Sequence, residues 1–301
     1  MKAAAPPAAS EQCTLVIGNR DAGLFSNFNH VVDNLVHRLG RGGVAAATVE
    51  WRARADFTQF PYGTAADGNL WPRFFEPLQF AEMPPRRIHT DTYVDLGITH
   101  DSAYRMYKLD FLWRRRYHAA YRRHIRPVAD IAASVRDIRR RVDPGCCMIG
   151  VHFRHPDHRE GPAREQTAHA FLSRVRRLVP RRGPWAVALA TDTEDAVDFF
   201  RAELGDRLIV QPDVARTSLR GGQLHYDNPA AGVALGRQAV VDCLLLAECD
   251  VLLHTTSNLA TAVGFINPHS RMIYCETPRQ ALRGLVWSLR RQLLDGRTTI
   301  P

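Results

Sequence analysis

Lysine is almost missing from this 301-residue chain: of its 40 basic residues only Lys2 and Lys108 are lysines, and the rest are arginines. The net charge of +9 is therefore a weak pointer to nucleic acid, because an arginine-rich surface suits a small anionic ligand equally well. The six cysteines, Cys13, Cys146, Cys147, Cys243, Cys249 and Cys275, form no Cys-x-x-Cys pair and show no metal-ligand spacing. Most stand in apolar strand-like or helix-like contexts, where a free thiol packs as a small hydrophobe. That fits a reducing compartment, and a cytoplasmic location is the expectation. No apolar run approaches the length of a membrane span. Met1 to Ser10, broken by Pro6 and Pro7, is too short and interrupted for a signal peptide. Three catalytic signatures are missing as well: the Gly-x-Ser-x-Gly elbow, the P-loop and the Gly-x-Gly-x-x-Gly turn. Their absence argues against a serine hydrolase, an ATPase and a dinucleotide enzyme.

What is present is an α/β rhythm. An apolar fraction of 45% with 24% charged residues belongs to a soluble globular chain, long enough for one large domain or two ordinary ones. Cys13 to Gly18 reads as a strand and residues 19–27 as a polar loop. Phe28, Val31, Val32, Leu35, Val36 and Leu39 then recur at helical spacing, closed by Gly40, Gly42 and Gly43. Val44 to Val49 reads as a second strand, which completes a unit of a parallel sheet. Residues 52–100 are rich in Pro, Gly and aromatics and predict loops and short elements. Residues 101–142 read as helical, basic and interrupted at Pro127. Their charges are spread around the helix, which predicts a solvated linker. Asp143-Pro144-Gly145 is a stop, and the expected domains are 1–143 and 144–301.

The second half repeats the rhythm, with strands expected at Met148–Phe153, Trp185–Ala190, Leu208–Val210, Val251–His254 and Arg271–Cys275. Helices are expected between them, and a last amphipathic one over Pro278 to Asp295. The run Met148-Ile149-Gly150-Val151 passes abruptly into His152-Phe153-Arg154-His155-Pro156-Asp157-His158. A buried parallel strand reads this way where its C-terminal end opens into a polar site. Arg154 offers a rigid fork of donors suited to a phosphate, and His152 shares its strand face. Two other strands end in polar clusters, Thr191-Asp192 and Thr255-Thr256-Ser257-Asn258. In a parallel sheet all three lie on one edge. Hydroxyls and free amides at a helix start bind anions, although Asp192, Ser257 and Asn258 also suit plain N-capping. Asp242 sits within the apolar Val240-Val241-Asp242-Cys243-Leu244, where a carboxylate needs a partner or a ligand. In the first half, Asn27, Asn29 and His30 are candidates to face an acceptor, with loop hydrogen bonding the alternative for Asn27. Asp157 and Glu160 are the nearby candidate acid/base groups.

This ordered set resembles the GT-B fucosyltransferases, the group that includes the α1,6-fucosyltransferases, the rhizobial nodulation fucosyltransferase and the protein O-fucosyltransferases. Ile149 to His155 is similar to their His-x-Arg strand, and Ala190-Thr191-Asp192 to the Ala-Thr-Asp ending the next one. Leu235 to Asn258 resembles their helix with an internal Asp and the Thr/Ser-rich turn after it. Gly23 to Val32 with Val49-Glu50-Trp51-Arg52 resembles their first unit. The resemblance implies two Rossmann-like domains with parallel sheets facing a central cleft. It also implies an inverting, metal-independent transfer of fucose from GDP-fucose to a hydroxyl-bearing acceptor, with no cofactor and no nucleic-acid partner. Arg154 would hold the diphosphate, His152 and Asp242 would lie near the guanine, and Thr255 to Asn258 would bind the donor. The last helix would pack back on the first domain. Pro156-Asp157-His158 departs from the family's Thr-Asp-Lys-like loop. The loop acid proposed as base in the α1,6 enzymes has no counterpart at the same offset, and Asp157 and Glu160 stand nearest. The alternative is a nucleotide-sugar- or glycan-binding protein of this fold without catalysis.

Overall fold

The computed structural model describes residues 12–54, 56–57, 60, 62–94, 111–154, 167–217, 232–255 and 257–275. The expected helix over 278–295 lies outside them, as do Asp157, Glu160 and Thr256.

Among the described residues the first half holds β1 (Cys13–Gly18), α1 (Leu24–His37), β2 (Val44–Glu50), β3 (Arg87–Thr90), α2 (Phe111–His124) and α3 (Ala129–Arg139). The strands form a parallel sheet in the order β2-β1-β3. β1 is central and buried on both faces, which explains its apolar run Leu15-Val16-Ile17. β3 was hidden in the proline-rich stretch because it is a half-exposed edge of four residues with no alternation of apolar side chains. Helix α1 starts at Leu24, four residues earlier than Phe28, since the polar residues between are helical and buried. The irregular stretch after β2 is ordered by aromatic packing: Trp51 meets Trp71 edge to face at 4.8 Å, and Phe75 stacks on Phe28 at 5.1 Å. Asn69 pins it by accepting from the amides of Trp51 and Trp71 and donating to Val49 O.

The second half holds β4 (Cys147–Phe153), α4 (Ala168–Leu178), β5 (Trp185–Thr191), α5 (Glu194–Leu204), β6 (Leu208–Ile209), α6 (Gly232–Ala247), β7 (Val251–His254), α7 (Asn258–Ile266) and β8 (Arg271–Tyr274). Its parallel sheet runs β6-β5-β4-β7-β8. Side-chain alternation divides the two faces. Val187 and Leu189 of β5 and Ile149, Val151 and Phe153 of β4 pack with α4 and α5, around Phe171, Val175 and Phe200. Ala186, Ala188 and Ala190 join the other core with α6. Small residues recur on that face because α6 lies close. A Cβ on Gly150 would come within 3.0 Å of Leu246 and 3.2 Å of Cys249.

One apolar core runs through both halves, from Leu15 and Phe28 to Leu246 and Phe265. Helices α2 and α3 belong to it and are more than a solvated linker. Tyr117 of α2 stacks on Phe265 of α7 at 4.9 Å, His118 Nδ1 lies 2.8 Å from Phe265 O, and Arg114 donates to Ser270 O. α3 buries Ile131, Val135 and Ile138 and packs against α6. The arginines are spread around these helices, but the apolar and aromatic residues share one face, and burial follows that face. Gly236 of α6 marks a close approach between the halves, where an added Cβ would lie 2.7 Å from the fully buried Phe74 ring and 3.1 Å from Leu24. Gly236→Val should destabilise the protein by about 1–3 kcal/mol through overpacking. Urea unfolding reads this directly, and an unchanged midpoint would mean that the halves yield at this seam.

Candidate functional site

In the second sheet the strand order reverses between β4 and β7. Neighbouring crossovers depart in opposite directions there and leave a crevice at the strand ends, the usual ligand position in open α/β sheets. The structure has a cleft at this point, with about 790 Å³ of space that includes open solvent. His152 and Arg154 reach it from the end of β4, Thr191 and Asp192 from the end of β5, and Ser257 and Asn258 from the start of α7. Gln238 and Asp242 of α6 form one wall, with Val214 and Ala215 from the chain after β6. The opposite wall comes from the first half: Gly23 to Ser26 at the start of α1, and Tyr62.

Two helix N-termini therefore border one cleft. Ser257 caps α7 by accepting from Leu259 N, and α1 follows Gly23 with no side-chain cap. Neither helix has an acidic residue in its first turn, so the positive ends of both dipoles stand uncompensated by their own helices. With Arg154 between the strand ends, this side of the cleft suits an anion.

The other side carries carboxylates. Burial raises the Asp242 carboxyl to about 7, against the pull of Arg216 and with a further push from Asp192. The Arg216 side chain is only 7% exposed; it donates to Gln211 O and lies 3.6 Å from Glu194. With its amide nitrogen turned inward, Gln211 donates to Gln238 O and to Asp242 Oδ1, each at 3.1 Å. Asp242 is thus partly open to the cleft while held by an amide behind it. Among the described residues no group of three or more His, Cys, Asp or Glu is placed to hold a metal ion.

Of the residues singled out from sequence, His152, Arg154, Asp192, Asp242, Ser257 and Asn258 meet in this cleft. Thr255 is buried beside it, its carbonyl 3.0 Å from His254 Nδ1. The three first-half candidates are buried among protein partners and none lines the cleft. Asn27 stitches the preceding loop, accepting from Arg20 N and donating to Ala22 O. Asn29 donates to Asn258 O. His30 Nε2 faces Thr92 O at 2.8 Å, and burial lowers its pKa to about 4, so it stays neutral. Sequence reasoning missed Gln211, Arg216, Gln238 and Tyr62. A carboxylate inside an apolar helix was the one available sign that a cation and an amide must stand opposite it.

The fold is shared with solved structures of fucosyltransferases. The NodZ α-1,6-fucosyltransferase crystal soaked with GDP-fucose matches with a TM-score of 0.56 and 18% identity, over 85% of this chain and 94% of that one. The fucosyltransferase NodZ from Bradyrhizobium matches at 0.55 and 18%, over 85% and 94%. The NodZ crystal grown with GDP matches at 0.55 and 18%, over 85% and 93%. No protein-family model and no curated protein sequence matches the chain. The architecture is thus the GT-B fold, as the resemblance implied.

The Asp242 carboxyl implies a definite pH dependence. Its folded-state pKa near 7 lies above the ordinary 3.8, so folding favours its protonated form. That contribution is complete below about pH 4 and is lost as pH rises through 7. Asn at this position cannot titrate. The melting temperature of Asp242→Asn relative to the parent should therefore climb from pH 5 to pH 8. A difference that stays flat across this range would contradict the assignment.

Proposed function

We propose that this protein is a glycosyltransferase that moves fucose, or a closely related sugar, from a GDP-sugar to a hydroxyl of a glycan, glycolipid, peptide or small molecule. The transfer inverts the anomeric carbon and needs no metal. The observation that carries this reading is the meeting of Arg154 and the α7 N-terminus at the strand-order reversal, across the cleft from the N-terminus of α1. The fold shared with NodZ agrees with it.

The donor diphosphate occupies the cationic side. As the bond between sugar and phosphate breaks, negative charge grows on the leaving diphosphate. Arg154 can meet two of its oxygens with parallel N–H donors, and the helix amides add fixed dipoles. Together they supply the positive charge that a divalent cation supplies in other transferases. The base of the nucleotide occupies the other side, by His152 and Asp242. Guanine presents adjacent N–H donors on its pairing edge, which an ionised carboxylate accepts; adenine presents an acceptor there and is repelled. An Asp242 poised near neutral pH gains its charge as guanine arrives. Inversion also needs a base that takes the acceptor proton on the face opposite the diphosphate. Asp157 and Glu160 in the segment after β4 are the candidates for it.

Arg154→Ala is the test. With GDP-fucose and a panel of hydroxyl acceptors, GDP release should fall by about 10²–10³-fold, the range for loss of one charge-stabilising group. The melting temperature should hold, since Arg154 lies in the cleft and outside the core. Near-normal turnover by the variant would sink the reading. Donor binding by the parent without turnover on any acceptor would instead assign a nucleotide-sugar-binding role.

A further inference from the structure

Asn258 lines the cleft, and Asn29 of the opposite half bonds to it. Asn29, in the second turn of α1 and 2% exposed, donates from Nδ2 to Asn258 O at 3.0 Å and reaches Asn258 Oδ1 at 3.4 Å. The main-chain carbonyl only accepts, so Asn29 must turn its nitrogen that way. That nitrogen then favours the oxygen of the Asn258 amide over its nitrogen. With Oδ1 drawn toward Asn29, the Nδ2 of Asn258 becomes the outward end, and it has no protein partner among the described residues. The orientation is set by a chain of two amides that starts at a carbonyl.

The arrangement leaves one polar atom of α1 without a partner. Asn29 Oδ1 is buried with no hydrogen-bond partner among the described residues, which costs free energy wherever it occurs. A buried amide that leaves its own oxygen unsatisfied in order to hold a cleft residue calls for a functional explanation. We infer that Asn29 is a positioning residue: it orients the Asn258 amide so that two N–H donors face the anionic part of a bound nucleotide. This rests on the donor reading above and adds to it a control of the donor seat by the other half of the molecule.

Titrating GDP into the full-length chain, with the parent, Asn29→Ala, Asn29→Asp, Asn258→Ala and the double variants, tests this by calorimetry. Asn258→Ala should weaken GDP by about tenfold, the usual scale for one hydrogen bond to a charged group. Asn29→Ala should weaken it less and leave the melting temperature close to the parent's. Asn29→Asp should weaken it at least as much as Asn258→Ala, because a carboxylate accepts from Asn258 Nδ2 and turns Oδ1 toward the ligand. In the Asn258→Ala background both Asn29 substitutions should lose most of their effect. Equal losses with and without the Asn258 side chain, or unchanged GDP affinity in both Asn29 variants, would overturn the inference. Should Asn29→Asp fail to fold, Asn29→Ala runs the same cycle. A parent chain that does not bind GDP overturns the donor reading itself, and the inference with it.

Discussion

Helix α1 is buried from Leu24 to Leu35 although half of those residues are polar. A buried polar group without a partner is costly, so each of these side chains must find one in the protein. The partners they find are the parts that frame the cleft. Asn27 holds the loop leading into the helix, and Asn34 and His30 hold Thr92 O. Asp33 accepts from Tyr117 of α2 at 2.7 Å and from Val94 N, and His37 meets the same Tyr117 hydroxyl at 3.0 Å. Asn29 crosses to the second half. The first sheet, α2 and the start of α7 are thereby registered against one rod, and the N-terminal end of that rod is a wall of the site.

The second sheet supplies the other wall by an opposite constraint. Both of its faces are covered, so its strands carry apolar side chains and place their polar ones at the ends. β4 shows this over seven residues: Ile149 and Val151 are fully buried, His152 stands at the mouth, and Arg154 follows in the cleft. Because every strand pair is parallel, the ends of β4, β5 and β7 share one edge, and the reversal of strand order opens the crevice where Arg154 and α7 meet. Charge expelled from one sheet thus faces the N-terminal end of one helix.

These two constraints differ in how far they can be read from sequence. The second sheet is legible strand by strand, because apolar runs ending in His152, Asp192 and Ser257 announce both burial and the position of the edge. The internal Asp242 was legible too, since nothing but a partner or ligand justifies a carboxylate there. α1 was not. Ser26, Asn27, Asn29, His30, Asp33 and Asn34 look like a solvated or ligand-facing surface, and only tertiary contacts reveal that they are buried and bonded inside. For the same reason the first-half candidates read as acceptor groups, whereas the structure shows struts. Arg216 escaped because its role depends on Asp242 lying next to it, a contact that no local pattern encodes. The arginines of α2 and α3 concealed an apolar face because charge is conspicuous and a stripe of Tyr, Ile and Val at helical spacing is less so.

The central claim is that the cleft between these walls is built for a guanine nucleotide diphosphate. A ligand that binds only the folded chain raises its melting temperature by mass action, so thermal unfolding with GDP, UDP and ADP at equal concentration is the most direct measurement. The account predicts a clear upward shift with GDP, absent or much smaller with UDP and ADP, and loss of the GDP shift in Arg154→Ala. Equal shifts with all three nucleotides, or none with GDP, would contradict it.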